Sequence, residues 1–162
     1  MVQIFIAHSS EDSWLIDPIC EVLEEIGVTP YLAELEDPTP LSLPKKLDMA
    51  IKGSKAVFAI ITSNVMQRPS TRDIINWEYA KAQAYNKPIY VFSEKGVEVP
   101  LLIGYTSVYG TFDPLSEESL DDMMLHVEDL AIRVKEFADK EKAAAGIIAG
   151  ILGVLFLLGQ GK

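Results

Sequence analysis

The sequence predicts an α/β fold: an open parallel five-stranded sheet with helices on both faces, plus a C-terminal apolar helix. Three observations carry this. Short apolar runs alternate with segments of helical spacing, the pattern of repeated βαβ units. The runs are continuously apolar, as strands covered on both faces require. The 162 residues suit one domain with a short appendage, enough to bury a core without disulfides or a metal.

Each element can be justified in turn. Residues 2–7 (VQIFIA) form the first strand and end in a polar turn of His8, Ser9, Ser10, Glu11 and Asp12. Leu15, Ile16, Ile19, Leu23 and Ile26 follow at helical spacing. Asp17-Pro18 has the form of an N-cap followed by proline at the first helical position, so the main helix is expected to start at Asp17. Gly27 is its stop signal. Residues 28–33 form the second strand, and 34–44, with three prolines and three acids, a loop. A short helix over 45–51 ends at Gly53, and 56–62 (AVFAIIT) is the third and most apolar strand. Ser70 and Asp73 fit a capping box that opens a helix running to Tyr85. Residues 88–92 and 108–112 supply the fourth and fifth strands. A long helix over 113–142 carries Leu120, Met123, Val127, Leu130, Val134 and Phe137 on one side, with His126 expected as a packed core histidine. The domain is thus expected over residues 1–142 and a hydrophobic tail over 143–162.

Composition removes several functions. A net charge of -10 argues against nucleic acid, which demands clustered basic groups. The single Cys20 cannot form an internal disulfide, and two histidines with one cysteine are too few for an ordinary zinc site, so a reducing compartment is expected. No P-loop or GxGxxG is present, disfavouring a kinase or dehydrogenase. Thr62-Ser63 stands where a receiver domain would need an aspartate, and the first turn has acids where a flavodoxin needs a Ser/Thr/Gly-rich phosphate loop. Charge is unevenly spread: -8 over the first fifty residues, +3 over the next fifty, -5 over the rest. A basic middle (Lys52, Lys55, Arg68, Arg72, Lys81, Lys87) reads either as solvated surface or as the neighbourhood of an anionic ligand.

In open parallel sheets ligands sit beyond the carboxyl ends of the strands, where strand order reverses. That picks out the loops at 8–12, 34–42 and 62–67. One side chain in the helix after strand three also stands out. On a wheel of about 100° per residue, Tyr85, Ala82 and Ile75 fall within about 100° of Ile74, and Glu78 falls inside that apolar arc. A glutamate there must be desolvated, paired with Lys81 or Lys52, or facing a cleft. Its place in the first turns of that helix favours the cleft. There is no second carboxylate at helical spacing, so a paired-acid glycosidase is not indicated. A lone carboxylate can still bind ribose hydroxyls and stabilise positive charge at an anomeric carbon.

These residues resemble a Toll/interleukin-1 receptor (TIR) domain of the prokaryotic type. IFIAHSSED at 4–12 resembles that family's first strand and loop, 34–43 its long loop after strand two, and AVFAIITSN at 56–64 its third strand and turn. EYAKAQAYNKPI at 78–89 resembles the catalytic-glutamate helix running into a Lys-Pro-Ile strand, with Lys87 nine positions after Glu78. The resemblance covers about residues 1–140. It implies a flavodoxin-like sheet and self-association or association with other TIR domains. It also implies one of two activities: cleavage of NAD or a related nucleotide at the nicotinamide–ribose bond, or a non-catalytic scaffold role. Prokaryotic members often act in antiviral defence. Under the first activity, Glu78 is the catalytic carboxylate, His8, Ser9 and Ser10 line the pocket, and NAD is substrate with no cofactor or metal. Cleaving members usually have a tryptophan four residues before the glutamate. This chain has Ile74 at that substrate-side position, and Trp77, one residue from Glu78, points about 100° away and is expected to pack. Pro38-Thr39-Pro40 replaces the usual glycine of the second loop.

The tail has no charged or polar side chain over residues 143–159. As a helix those seventeen residues span about 26 Å against a hydrocarbon core of about 30 Å, tolerable with local thinning. Arg133, Lys135, Lys140 and Lys142 precede it and Lys162 follows, which favours a domain on the cytoplasmic side. Small-xxx-small pairs at Gly146/Gly150 and Ala149/Gly153 suit helix packing in lipid. The expectation is a membrane anchor. The alternative is a terminal helix buried against a soluble cytoplasmic domain or in an oligomer.

Overall fold

The computed structural model describes residues 1–33, 43–99 and 108–143. The elements run β1 (Val2–Ala7), a 3-10 turn (Ser10–Asp12), α1 (Ser13–Glu25), β2 (Val28–Leu32), α2 (Leu43–Gly53), β3 (Ala56–Ile61), α3 (Ser63–Gln67), α4 (Pro69–Ala84), β4 (Ile89–Glu94), β5 (Val108–Phe112) and α5 (Glu117–Ala143). The five strands form one sheet in the order β2-β1-β3-β4-β5, every neighbouring pair parallel. This is the flavodoxin-like order, and the reversal falls between β1 and β3.

Two-residue alternation divides the core into two halves. Ile4, Ile6, Phe58, Ile60, Tyr90 and Phe92 face one side, where they meet Leu15, Ile16, Ile19 and Leu23 of α1 and Met123, Val127, Leu130 and Val134 of α5. Phe5, Ala7, Val57, Ala59, Ile61, Ile89 and Val91 face the other, against Leu47 and Ile51 of α2, Val65 of α3, and Ile75, Tyr79 and Ala82 of α4. Central β3 has no exposed residue, which is why its sequence is apolar throughout. Each large apolar side chain so buried contributes about 1.5–3 kcal/mol against the entropy of folding.

Two helix starts and one burial expectation are corrected by the structure. The first helix begins at Ser13, not Asp17, and takes Pro18 inside it. Burial of Leu15 and Ile16 draws the earlier residues into the helix, and Pro18 lies on the half-buried side, close to the exposed Trp14 and Asp17. The fourth helix is capped not at Ser70 but at Arg68, with Pro69 at its first positions. A residue before proline is pushed to extended geometry, and Arg68 has φ -109° and ψ 108°, so Pro69 outcompetes the capping box. His126 is exposed on α5, one position off the buried Val127, and is not a core residue.

Two helix ends shape the lower rim of the sheet, where the strands begin. Gly27, at φ +80°, closes α1, and Lys135 Nζ of α5 donates to the Ile26 carbonyl at 2.8 Å. A Cβ at Gly27 would sit 3.0 Å from that ammonium, so glycine serves both backbone and neighbour. Asn86, at φ 54°, ends α4: its N–H donates to the Gln83 carbonyl and that of Lys87 to the Ala82 carbonyl, the paired bonds of a Schellman motif.

The tail and the proline-bearing loop at 34–42 lie outside the described residues. Among the described residues no helix is long and apolar enough to cross a membrane.

Candidate functional site

The β1 and β3 carboxyl ends, side by side at the reversal point, carry the densest polar network. His8 leaves β1 with its Nδ1–H donating to the Ile6 carbonyl at 2.9 Å. Because a carbonyl only accepts, Nδ1 holds the proton of the neutral ring, and Nε2 keeps a lone pair. Burial holds the ring below the usual histidine range, outweighing the opposing effects of the Ile6 carbonyl and Asp12. Ser9 is buried, and its Oγ accepts the Glu11 N–H at 3.3 Å to open the 3-10 turn. Ser10, beginning that turn, is exposed.

The turn delivers Asp12, 1% exposed, to the end of β3. There Thr62 Oγ1–H donates to Asp12 Oδ2, and Asn64 Nδ2 donates to Oδ1 at 2.7 Å. Thr62 Oγ1 also accepts the Val65 N–H at 3.4 Å, capping α3. Both oxygens of a buried carboxylate are therefore held by neutral donors, as burial demands. Glu94 at the end of β4 accepts the Ser63 N–H at 3.2 Å, and Arg68 pairs with Glu11 across the rim. Three strand ends are thereby tied into one floor. Asp12, Thr62 and Asn64 were not singled out as a group from sequence. Their partnership spans about fifty positions and depends on β1 lying beside β3, so the signal that could find it is the strand order itself.

Glu78 stands ten residues into α4, in its third turn rather than its first. Its burial agrees with the wheel: Ile75, Glu78, Tyr79 and Ala82 are the buried residues of α4, and Glu78 is 3% exposed. Neither lysine considered as its partner takes that role. Lys81 bonds to Asp48 Oδ1 at 3.3 Å and lies over the Trp77 ring at 5.5 Å, while Lys52 lies over the Tyr85 ring at 5.9 Å. Glu78 Oε2 is buried without a hydrogen-bond partner among the described residues. Desolvation alone lifts its carboxyl from 4.5 to about 8, so it holds its proton at neutral pH. The neighbouring Tyr79 hydroxyl and Asn76 Oδ1 are also buried and unpartnered. Ile74 is half-buried, packed against the same cluster as Trp77.

No hydrogen bond or ion pair among the described residues joins Glu78 to His8, Ser9 or Ser10, and the segment at 34–42 lies outside them. The basic middle does not gather at the strand carboxyl ends. Lys55 and Lys87 precede β3 and β4, at the opposite end of the sheet, and Arg68 is paired with Glu11. No group of three or more histidine, cysteine or acidic side chains able to hold a metal occurs among the described residues.

With this geometry in hand, the chain can be set beside known proteins. The family model for the TIR domain matches residues 4–122. No curated protein matches the sequence. Among solved structures, a CMP N-glycosidase from Clostridium botulinum, BcmB, superimposes with a TM-score of 0.53 at 22% identity, over 76% of this chain and 98% of its own. A flavo di-iron protein from Thermotoga maritima superimposes with a TM-score of 0.54 at 16% identity, over 80% of this chain and 35% of its own. The TIR domains of the activated Roq1 resistosome give 0.49 at 12% identity over 83% of each chain. At these identities the first two likenesses establish a shared fold.

Proposed function

This chain belongs to the TIR-domain family, and on that footing we propose that it cleaves the nicotinamide–ribose bond of NAD or a related nucleotide, with Glu78 as the catalytic carboxylate. The observation that supports this reading best is a buried glutamate whose Oε2 has no partner among the described residues, set in the apolar stripe of a helix. Such an arrangement is destabilising for folding and useful for chemistry.

The chemistry follows from charge. In the free protein Glu78 is protonated at neutral pH. A docked nicotinamide ring is cationic, and a positive charge in a low-dielectric site favours loss of the Glu78 proton. As the C1′–N bond breaks, its electron pair leaves with the nicotinamide nitrogen and neutralises the ring. Positive charge passes to the ribose as an oxocarbenium ion, which the Glu78 carboxylate stabilises where no water competes. Water then adds at C1′ and loses a proton, which Glu78 can accept. A substrate nucleophile adding in place of water would give a cyclised product. His8, Ser9 and Ser10 are proposed as pocket-lining groups, His8 accepting a hydrogen bond at Nε2. Ile74 would supply apolar contact where cleaving relatives carry an aromatic ring. The fold is proposed to act through self-association, with residues 143–162 as a membrane anchor and the domain in the cytoplasm.

Ile74 is also the observation that favours the second reading, a non-catalytic TIR interaction module. The two separate in one assay. Purified full-length protein, free and on vesicles, is incubated with NAD while released nicotinamide is followed. The wild type is expected to release it, and Glu78→Gln to be slower by about 10²–10³-fold or more. Activity that survives the substitution removes Glu78 from the mechanism; no release by concentrated wild type favours the interaction module.

A further inference from the structure

The end of the sheet opposite the β1/β3 floor has a charge character of its own. In parallel βαβ units all strands begin, and the helices return, at one end. Here Lys55 and Lys87 immediately precede β3 and β4, Lys52 ends α2, and Lys140 and Lys142 end α5. Lys135 joins them by bonding to the end of α1. Glu24, Glu25, Glu136, Asp139 and Glu141 share this end with those six cations, in a chain whose total is -10. The opposite end carries Glu11, Asp12, Glu94, Asp113, Glu117 and Glu118, with Lys45, Lys46, Arg68 and Lys95 among them. Cations outnumber acids at the first end and acids outnumber cations at the second.

Helix dipoles account for part of the basic end, because carboxyl termini attract cations. They account for Lys52, Lys140 and Lys142. Lys55 and Lys87 lie in no helix, and they line one cavity of about 240 Å³ with Tyr85, Pro88, Phe137 and Glu141. A neighbouring recess of about 540 Å³ shares Lys55 and Glu141 and adds Lys135, Asp139 and Lys142. Glu141 offsets the crowding of these cations only in part. Lys55 reaches Glu141 at 3.7 Å, while Lys87, Lys140 and Lys142 have no ion pair among the described residues. Burial first, then repulsion from Lys55, holds the Lys87 ammonium below the usual lysine range. α5 ends here, at Ala143, and the uncharged residues 144–159 follow in the sequence.

We infer that this basic end is a docking face for an anionic lipid surface, seated by Lys55, Lys87, Lys140 and Lys142 around the exit of the apolar tail. Phosphate headgroups would displace Glu141 from Lys55 and fill the two recesses. The opposed acidic end and its polar floor would then point away from the membrane, open to a soluble ligand. Long-range repulsion of the acidic end is screened over about 10 Å at ordinary salt, so the local face decides. The inference is independent of the catalytic reading, and the anchor reading of the tail adds to it without being required.

The test uses the full-length chain with vesicles of phosphatidylcholine alone or with phosphatidylglycerol added. Co-sedimentation with neutral vesicles reads the tail; acylation of lysines by a water-soluble amine reagent reads the face. Lys55 and Lys87 are expected to be protected on the anionic vesicles and not on the neutral ones, with Lys95 at the far end reactive on both. Lys55→Glu/Lys87→Glu is expected to lower binding to anionic vesicles by about tenfold or more, at about 1 kcal/mol per lysine, with neutral-vesicle binding unchanged. Equal protection on both vesicles, or none on either, overturns the inference. So does protection reproduced by inorganic phosphate without vesicles, which would mark a free-anion site. Binding to anionic vesicles only, with these lysines protected, retains the docking face and removes the anchor.

Discussion

The helices on opposite faces of the sheet, α5 and α4, solve the same packing problem in different ways. α5 buries Met123, Val127, Leu130, Ala131, Val134 and Ala138, with no polar side chain among them. α4 buries Ile75, Glu78, Tyr79 and Ala82, and three of its polar atoms are sealed from water without partners among the described residues. One face is built to hold the sheet together. The other leaves desolvated groups unpaired among the described residues, a cost that calls for a partner from outside the fold or for strain held within it. The contrast is what supports the proposed site on the α4 face.

The largest effect should come from the glutamate itself. Its carboxyl is lifted from 4.5 to about 8 in the folded chain. Below pH 4.5 both folded and unfolded chains hold the proton, and the group has no effect on the balance. Between 4.5 and about 8 the unfolded chain has lost the proton that the folded chain keeps, so stability falls as pH rises; above 8 the loss levels off. The whole window is worth about 5 kcal/mol. Urea unfolding of wild type and Glu78→Gln should therefore diverge across it, the variant gaining stability relative to wild type as pH rises. The same ionisation predicts that kcat/KM for nucleotide cleavage climbs toward pH 8. Parallel pH curves for the two proteins would mean that Glu78 is ionised or paired, and the contrast between the faces would fail.

A somewhat smaller effect belongs to the α5 face. Leu130→Ala should destabilise by about 3 kcal/mol, through lost burial and a residual cavity. Nicotinamide release per folded molecule should not change, since no atom of α5 belongs to the proposed site. If the variant lost activity while folded, α5 would have a role beyond support.

These differences were unequally legible in the sequence. The strands were readable because a sheet covered on both faces demands uninterrupted apolar runs, and β3, with no exposed residue, is the clearest. Glu78 was readable because one helix wheel tests it: its anomaly is local. The helix starts were misread where two local signals competed. Pro18 looks like a first helical residue until Leu15 and Ile16 are known to pack, and Ser70 looks like a cap until Pro69 is seen to fix the preceding residue. The Asp12–Thr62–Asn64 network was invisible as a unit, because only sheet topology brings residues fifty positions apart to one point. His126 was misassigned by a single position of helical phase, the distance between the core and solvent sides of α5.

The smallest effect is the sharpest probe of α4. Tyr79 is 2% exposed and its hydroxyl has no partner. Burial, and secondarily the charge of Glu78, hold that hydroxyl well above the usual tyrosine range, so it stays a neutral donor. A buried tyrosine hydroxyl that is bonded loses about 1 kcal/mol of stability on conversion to phenylalanine. One that is buried and unbonded carries only a desolvation penalty, so Tyr79→Phe should leave stability unchanged or raise it by up to about 1 kcal/mol. Measured against urea at pH 6, where Glu78 is protonated, that outcome confirms a ring kept for packing and a hydroxyl kept for something else. A KM for the nucleotide that rises in the same variant, with kcat held, would identify that something as the ligand. A loss of 1 kcal/mol or more would instead show that the hydroxyl is satisfied within the fold, and Glu78 would be left as the lone anomaly of the α4 apolar stripe.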